Sequence, residues 1–127
     1  MIVDAEILKE LRLGAGEERI EKAERYVKEK RVNITKVVYD DFRNFELRAR
    51  VKENQGIYDV YIQVRQGEIE NVSCTCPDYE THYATCKHVL ATMLEFSQNS
   101  NYVRIFAGDK SIQENDFAIY KNYQNKK

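Results

Sequence analysis

The chain has 127 residues, of which 43% are hydrophobic and 32% charged, a composition of folded domains rather than disordered or collagen-like chains. Twenty Lys and Arg stand against 21 Asp and Glu, so the net charge of -1 supplies no overall attraction to nucleic acid or to an anionic membrane. The start, Met1-Ile2-Val3-Asp4, has no basic region ahead of a long apolar run, and no apolar stretch approaches bilayer length. These features predict a cytoplasmic protein without membrane attachment, folded as a single domain over 1–127.

In chain order, Ile7, Leu8 and Leu11 share one helical face over residues 4–13, and Gly14-Ala15-Gly16 interrupts. A second helix is predicted over residues 17–30, with Ile20, Ala23 and Val27 on one face and Tyr26 beside them. Glu18–Lys22 and Glu21–Arg25 are spaced to pair along its solvated side. Residues 1–32 thus form a helical N-terminal part.

From Asn33 the period becomes two. Residues 34–40 are rich in Val, Thr and Tyr, and a turn follows over 41–44. Phe45, Leu47, Ala49 and Val51 then alternate with Glu46, Arg48, Arg50 and Lys52, which defines a strand with one dry and one wet face. After the turn at 53–56, Tyr58, Val60, Ile62 and Val64 repeat the pattern, and residues 68–74 give a weaker fourth strand. The expected architecture is α+β: a small antiparallel meander of about four strands over 33–73, covered by the N-terminal helices and one C-terminal helix.

That C-terminal helix is predicted over 86–97, with Val89, Leu90, Met93, Leu94 and Phe96 as its apolar positions and Thr85 as N-cap. Residues 98–127 form a tail whose apolar residues (Val103, Ile105, Phe106, Phe117, Ile119) suit packing, with a short helix expected near 111–122.

The three cysteines cannot form a closed disulfide set, and Cys74 and Cys76 are too close in sequence for an unstrained bridge. Reduced thiols and metal binding are the expected use. The arrangement is Cys74-Thr75-Cys76, nine residues, then Cys86-Lys87-His88. Three thiolates and an imidazole complete a tetrahedral Zn2+ shell. The first pair lies at a strand end and the second in the first turn of a helix, so a metal there staples one to the other. His82 is the one competing imidazole. Asp78 and Glu80, with His82, are candidates to hold the second ring nitrogen of a ligating His88. A shell filled by four protein ligands leaves no position for water or substrate, so the metal's expected role is structural.

Val72-Ser73-Cys74-Thr75-Cys76-Pro77 followed by Cys86-Lys87-His88-Val89-Leu90-Ala91 resembles the SWIM-type zinc finger, which is marked by CxC then CxH ahead of an aliphatic helix. The resemblance implies metal ligation by Cys74, Cys76, Cys86 and His88 within a finger over 74–97. The order upstream, a charged helix over 19–32 and then several strands, resembles the N-terminal region of bacterial Swi/Snf-like helicases. The SWIM family is associated with nucleic-acid or protein binding, and the resemblance implies such a role here. The chain has no GxxxxGK[ST] phosphate loop, so it carries no ATPase, and it is expected to be either the N-terminal piece of a longer motor or a stand-alone relative.

Tyr79 and Tyr83 flank the metal loop without a strand pattern, and contact with a partner and cover for the metal are both open to them. Arg48, Arg50 and Lys52 form a basic row that could follow phosphates, although solvated sheet surface is the simpler reading. The finger is a poor match to a phosphate backbone: over 66–98 only Lys87 opposes Glu68, Glu70, Asp78, Glu80 and Glu95, a net of -4. A protein partner, or the motor domains of a parent chain, is therefore favoured over sequence-specific DNA reading. The alternatives are a cysteine enzyme, with Cys76 or Cys86 as nucleophile and a histidine as base, or a thiol redox switch on the same residues. The oligomeric state is not legible.

Overall fold

A computed structural model describes residues 3–77 and 86–98, together with the backbone of 118–121. Helix α1, Ala5–Ala15, starts at Asp4, whose Oδ1 accepts the Glu6 N–H at 3.1 Å. It buries Ile7, Leu11 and Ala15, one residue per turn. Gly14 is absorbed into this helix, and the break falls on Gly16 alone. Its φ of 83° is open to glycine at no cost, and it donates its N–H to Arg12 O and offers its carbonyl to Ile20 N–H. Helix α2, Glu17–Lys28, buries Ala23 and Tyr26 and carries the Glu18–Lys22 pair at 3.3 Å on its outer side. It stops two residues before the predicted end because Lys30 turns left-handed (φ 58°), which lets Arg31 N–H reach back to Tyr26 O at 2.8 Å.

Strands β1 (Val32–Asp41), β2 (Asn44–Glu53), β3 (Gly56–Arg65) and β4 (Glu68–Cys74) form the antiparallel meander that the alternation predicts. The β3–β4 connection is a two-residue turn with positive φ at Gln66 and Gly67. A Cβ on Gly67 would stand 2.8 Å from the Arg43 guanidinium, which itself donates to Gln66 O.

The sheet has a fifth strand. β5 (Ala118–Lys121) runs parallel to β1, with Lys36 opposite Ala118 and Tyr39 opposite Lys121, giving the order β4-β3-β2-β1-β5. This corrects the helix expected near 111–122: residues 118–121 are extended, and 111–117 and 122 lie outside the described residues. The physical reason is the sheet edge. β1 would otherwise present a row of unpaired N–H and C=O groups, and Ala-Ile-Tyr is strand-forming sequence able to pair with them.

Helix α3, Lys87–Gln98, is the centre of the fold. Every residue from His88 to Leu94, and Phe96, is buried. A helix that is apolar on all sides has to be enclosed on all sides. α3 packs against α1 and α2 and against the strands, whose dry face supplies Ile34, Val37, Phe45, Leu47, Ala49, Val51, Val60, Ile62 and Val64. Phe96 meets Phe45 with ring centroids 5.4 Å apart and Tyr39 at 6.2 Å. Among the described residues, no helix is long and apolar enough to cross a membrane.

Candidate metal centre

The local rules of strand and helix account for the cluster. Cys74 is the last residue of β4, and just beyond the strand end Cys76 is buried as well, while Thr75 between them is exposed. Thr75 anchors this strap: its N–H donates to Asp59 O at 3.1 Å, and its hydroxyl accepts from Asp59 N–H at 2.9 Å. On the other side Cys86 sits directly before the first residue of α3, and His88 follows within the first turn. The Cys86 sulfur accepts a backbone hydrogen bond from Val89, so it occupies the role predicted for Thr85, which lies outside the described residues.

The four donor atoms of Cys74, Cys76, Cys86 and His88 all lie within 4.8 Å of one another. Cys74 Sγ is 3.6 Å from His88 Nδ1, and Cys76 Sγ is 3.8 Å from Cys86 Sγ. With Zn–S bonds near 2.3 Å, the sulfurs of a tetrahedral site stand about 3.8 Å apart, and a sulfur and a nitrogen about 3.5 Å. The observed separations are therefore edges of a zinc-sized tetrahedron, and the donor set fits Zn2+. All four residues are buried, with relative exposures of 7%, 3%, 0% and 1% in chain order. All three cysteines are free thiols.

The buried thiols shift one another in opposite directions. The hydrogen bond from Cys74 is the largest influence on Cys86 and holds its thiol well below the ordinary range, with His88 and the Val89 N–H assisting and burial opposing. Cys74, the proton donor of that pair, is pushed upward. Cys86 sits at a helix N-terminus, where the dipole favours negative charge on its sulfur.

The imidazole is held from outside the cluster. His88 Nε2 is hydrogen-bonded to Glu53 Oε2, and Tyr26 donates its hydroxyl to Glu53 Oε1 at 2.9 Å. Burial pushes the Glu53 carboxyl upward, but the hydrogen bonds from His88 and Tyr26 outweigh it, and the net shift is downward. Burial together with that same bond raises the Tyr26 hydroxyl far above its ordinary value. The rings of Tyr58 and Tyr26 lie against the imidazole at 5.0 and 5.8 Å. With Nε2 engaged by Glu53, Nδ1 is the nitrogen that faces the sulfurs.

The sequence offers Asp78, Glu80 and His82, all in the adjacent loop, as candidates for the second ring nitrogen of His88. The partner is Glu53, at the end of β2, while Asp78, Glu80 and His82 lie outside the described residues. Tyr26 was legible only as a flank of the α2 stripe, and Glu53 only as a turn residue. Tyr79 and Tyr83 also lie outside the described residues. Arg48, Arg50 and Lys52 project from β2 on the sheet face opposite α3, away from the cluster. Arg48 lies 4.5 Å from the centre of the Tyr61 ring, and Arg50 pairs with Asp59 at 3.3 Å.

A buried Cys3His set at zinc spacing, clamped between a strand end and a helix start, defines a zinc-finger module. The family model of the SWIM zinc finger matches residues 58–96, so that stretch of the chain is a SWIM zinc finger. No curated protein and no solved structure matches the chain.

Proposed function

We propose that this chain is an interaction module in which Cys74, Cys76, Cys86 and His88 hold a structural Zn2+, and that it serves as the N-terminal accessory part of a Swi/Snf-like bacterial motor. The observation that carries the reading is the donor set: four buried side chains whose donor atoms all lie within 4.8 Å of one another, enough to complete a tetrahedral shell. Such a metal holds structure and offers no site to a reactant. Cys76 and Cys86 as nucleophiles fit less well, because each sulfur is buried and gathered with the other donor atoms of the cluster. Support for the helicase context is the order of elements upstream of the finger, a charged helix and then a meander.

Within this reading the partner is a protein surface, or the motor's own domains, rather than a DNA sequence. A Zn2+ with three thiolates adds one negative charge to a segment already carrying -4. Two of the three cations of the β2 row are engaged by Tyr61 and Asp59. Titration of the zinc-loaded chain with fluorescent single- and double-stranded oligonucleotides at two salt concentrations tests this. The expected result is no binding tighter than the weak non-specific range of about 10⁻⁴–10⁻⁶ M. Sub-micromolar binding that weakens steeply with salt would contradict the protein-contact reading and move the chain among nucleic-acid binders.

A further inference from the structure

The hydrogen bonds of the imidazole reach beyond the finger. The matched finger spans 58–96, yet His88 is bound by Glu53 from β2, and Glu53 by Tyr26 from α2. Both partners lie upstream of the finger. Glu53 is only slightly exposed, at 13%, and Tyr26 is buried, so water competes poorly for either bond. The two carboxylate oxygens are divided between them: Oε2 on the imidazole, Oε1 on the phenol. The Tyr26 ring also lies nearly parallel to the imidazole, with 11° between the planes. Next to this chain of contacts, Arg31 and Lys52 exchange backbone bonding, Lys52 N–H donating to Arg31 O at 2.9 Å and Arg31 Nη1 donating to Lys52 O at 3.2 Å, which fixes the end of β2 that carries Glu53.

We infer that Glu53 and Tyr26 are positioning residues of the metal site, Glu53 fixing the imidazole with Nδ1 toward the metal and Tyr26 fixing Glu53, so that metal occupancy and the docking of α2 depend on one another. The inference rests on the zinc reading above. A neutral imidazole carries one N–H. A carboxylate that accepts it at Nε2 leaves the Nδ1 lone pair free for the metal and raises its basicity. In the other tautomer Nδ1 would carry the proton and could not ligate. Tyr26 restricts the carboxylate to the rotamer that reaches His88, and its own place depends on α2. The finger is thereby built with parts supplied by the helical N-terminal region.

The test uses the full chain as wild type, Glu53→Ala, Glu53→Gln and Tyr26→Phe. Zinc affinity is read by competition with a chromophoric chelator, and the state of His88 by ¹⁵N NMR of the zinc-loaded protein. The wild type should bind one zinc through Nδ1 with its proton on Nε2. Glu53→Ala should bind zinc about 10–100-fold more weakly and lose the single Nε2–H state. Glu53→Gln still offers an oxygen to that N–H, so it should retain the tautomer and recover much of the affinity. Tyr26→Phe should fall between the wild type and Glu53→Ala. If Glu53→Ala keeps wild-type affinity, or if His88 ligates through Nε2, the positioning role is wrong while the zinc site stands. If the wild type itself takes up no zinc, the zinc reading fails first. Should Glu53→Ala not fold, the Gln and Phe variants decide: wild-type affinity and an unaltered His88 spectrum in both would overturn the inference.

Discussion

Cys86→Ser loses zinc and cooperative folding together. Cys86 combines three things at one point: a sulfur placed to ligate the proposed metal, a cap on the first turn of α3, and full burial in the wall of the core. A serine can replace the cap, but its hydroxyl is a poor zinc ligand, and it leaves Cys74, Cys76 and His88 gathered around a site that binds metal weakly. Structural zinc in small fingers is worth on the order of 10–16 kcal/mol in apparent binding free energy, against a net domain stability of about 5–15 kcal/mol. Loss of most of that term is enough to unfold the finger, and α3 is the element on which α1, α2 and the sheet all pack. Elemental analysis should find almost no zinc in the variant, and thermal melts followed by circular dichroism should lack the sigmoidal transition of the wild type. A zinc-free variant that melts as sharply and as high as the wild type would remove the structural role of the metal.

Acidification should release the metal and unfold the chain in the same pH interval. Zinc binds deprotonated thiols and a neutral imidazole, so every proton gained by a ligand competes with it. The sign follows from the direction of the shift. Metal binding, like the hydrogen bond that already lowers Cys86, places the folded-state thiol below its unfolded value. Stability from such a group is fully present above the unfolded value, near 8.5 for a thiol, and is lost as pH falls through the folded value. Several ligands protonate together, so release should be steep. A fluorescent zinc reporter and far-ultraviolet circular dichroism, followed from pH 8 downward, should give coincident curves. Excess zinc should move both to lower pH. Unfolding that ignores added zinc would mean that the metal and the fold are not linked.

The parts of the molecule that were legible beforehand are those governed by local period. Phe45, Leu47, Ala49 and Val51 alternate because β2 has one dry face, and all four are buried there. The CxC pair is legible as a strand end and its turn, with Cys74 closing β4 and Cys76 just beyond it. Cys86 and His88 are legible from their CxH spacing in the first turn of a helix, although the cap position was expected at Thr85. Contacts that depend on the three-dimensional return of the chain were not. His88 and Glu53 are 35 residues apart, and Glu53 and Tyr26 are 27 apart, so no spacing rule connects them. Glu53 next to Asn54-Gln55-Gly56 has the signature of a turn, and its hydrogen bond is set by where the β2–β3 hairpin meets α3. β5 was missed for a related reason: Ala118–Lys121 is short, its apolar residues suit either period, and what selects the strand is the open edge of β1, some 80 residues earlier in the chain.

The most direct test of the account is the zinc content of the purified chain, measured together with its thiol reactivity before and after chelation. One zinc per chain is expected, with three thiols that resist alkylation until the metal is stripped, after which all three react. A folded, zinc-free chain whose Cys74, Cys76 and Cys86 react at once would contradict it and would put cysteine catalysis or redox sensing in its place.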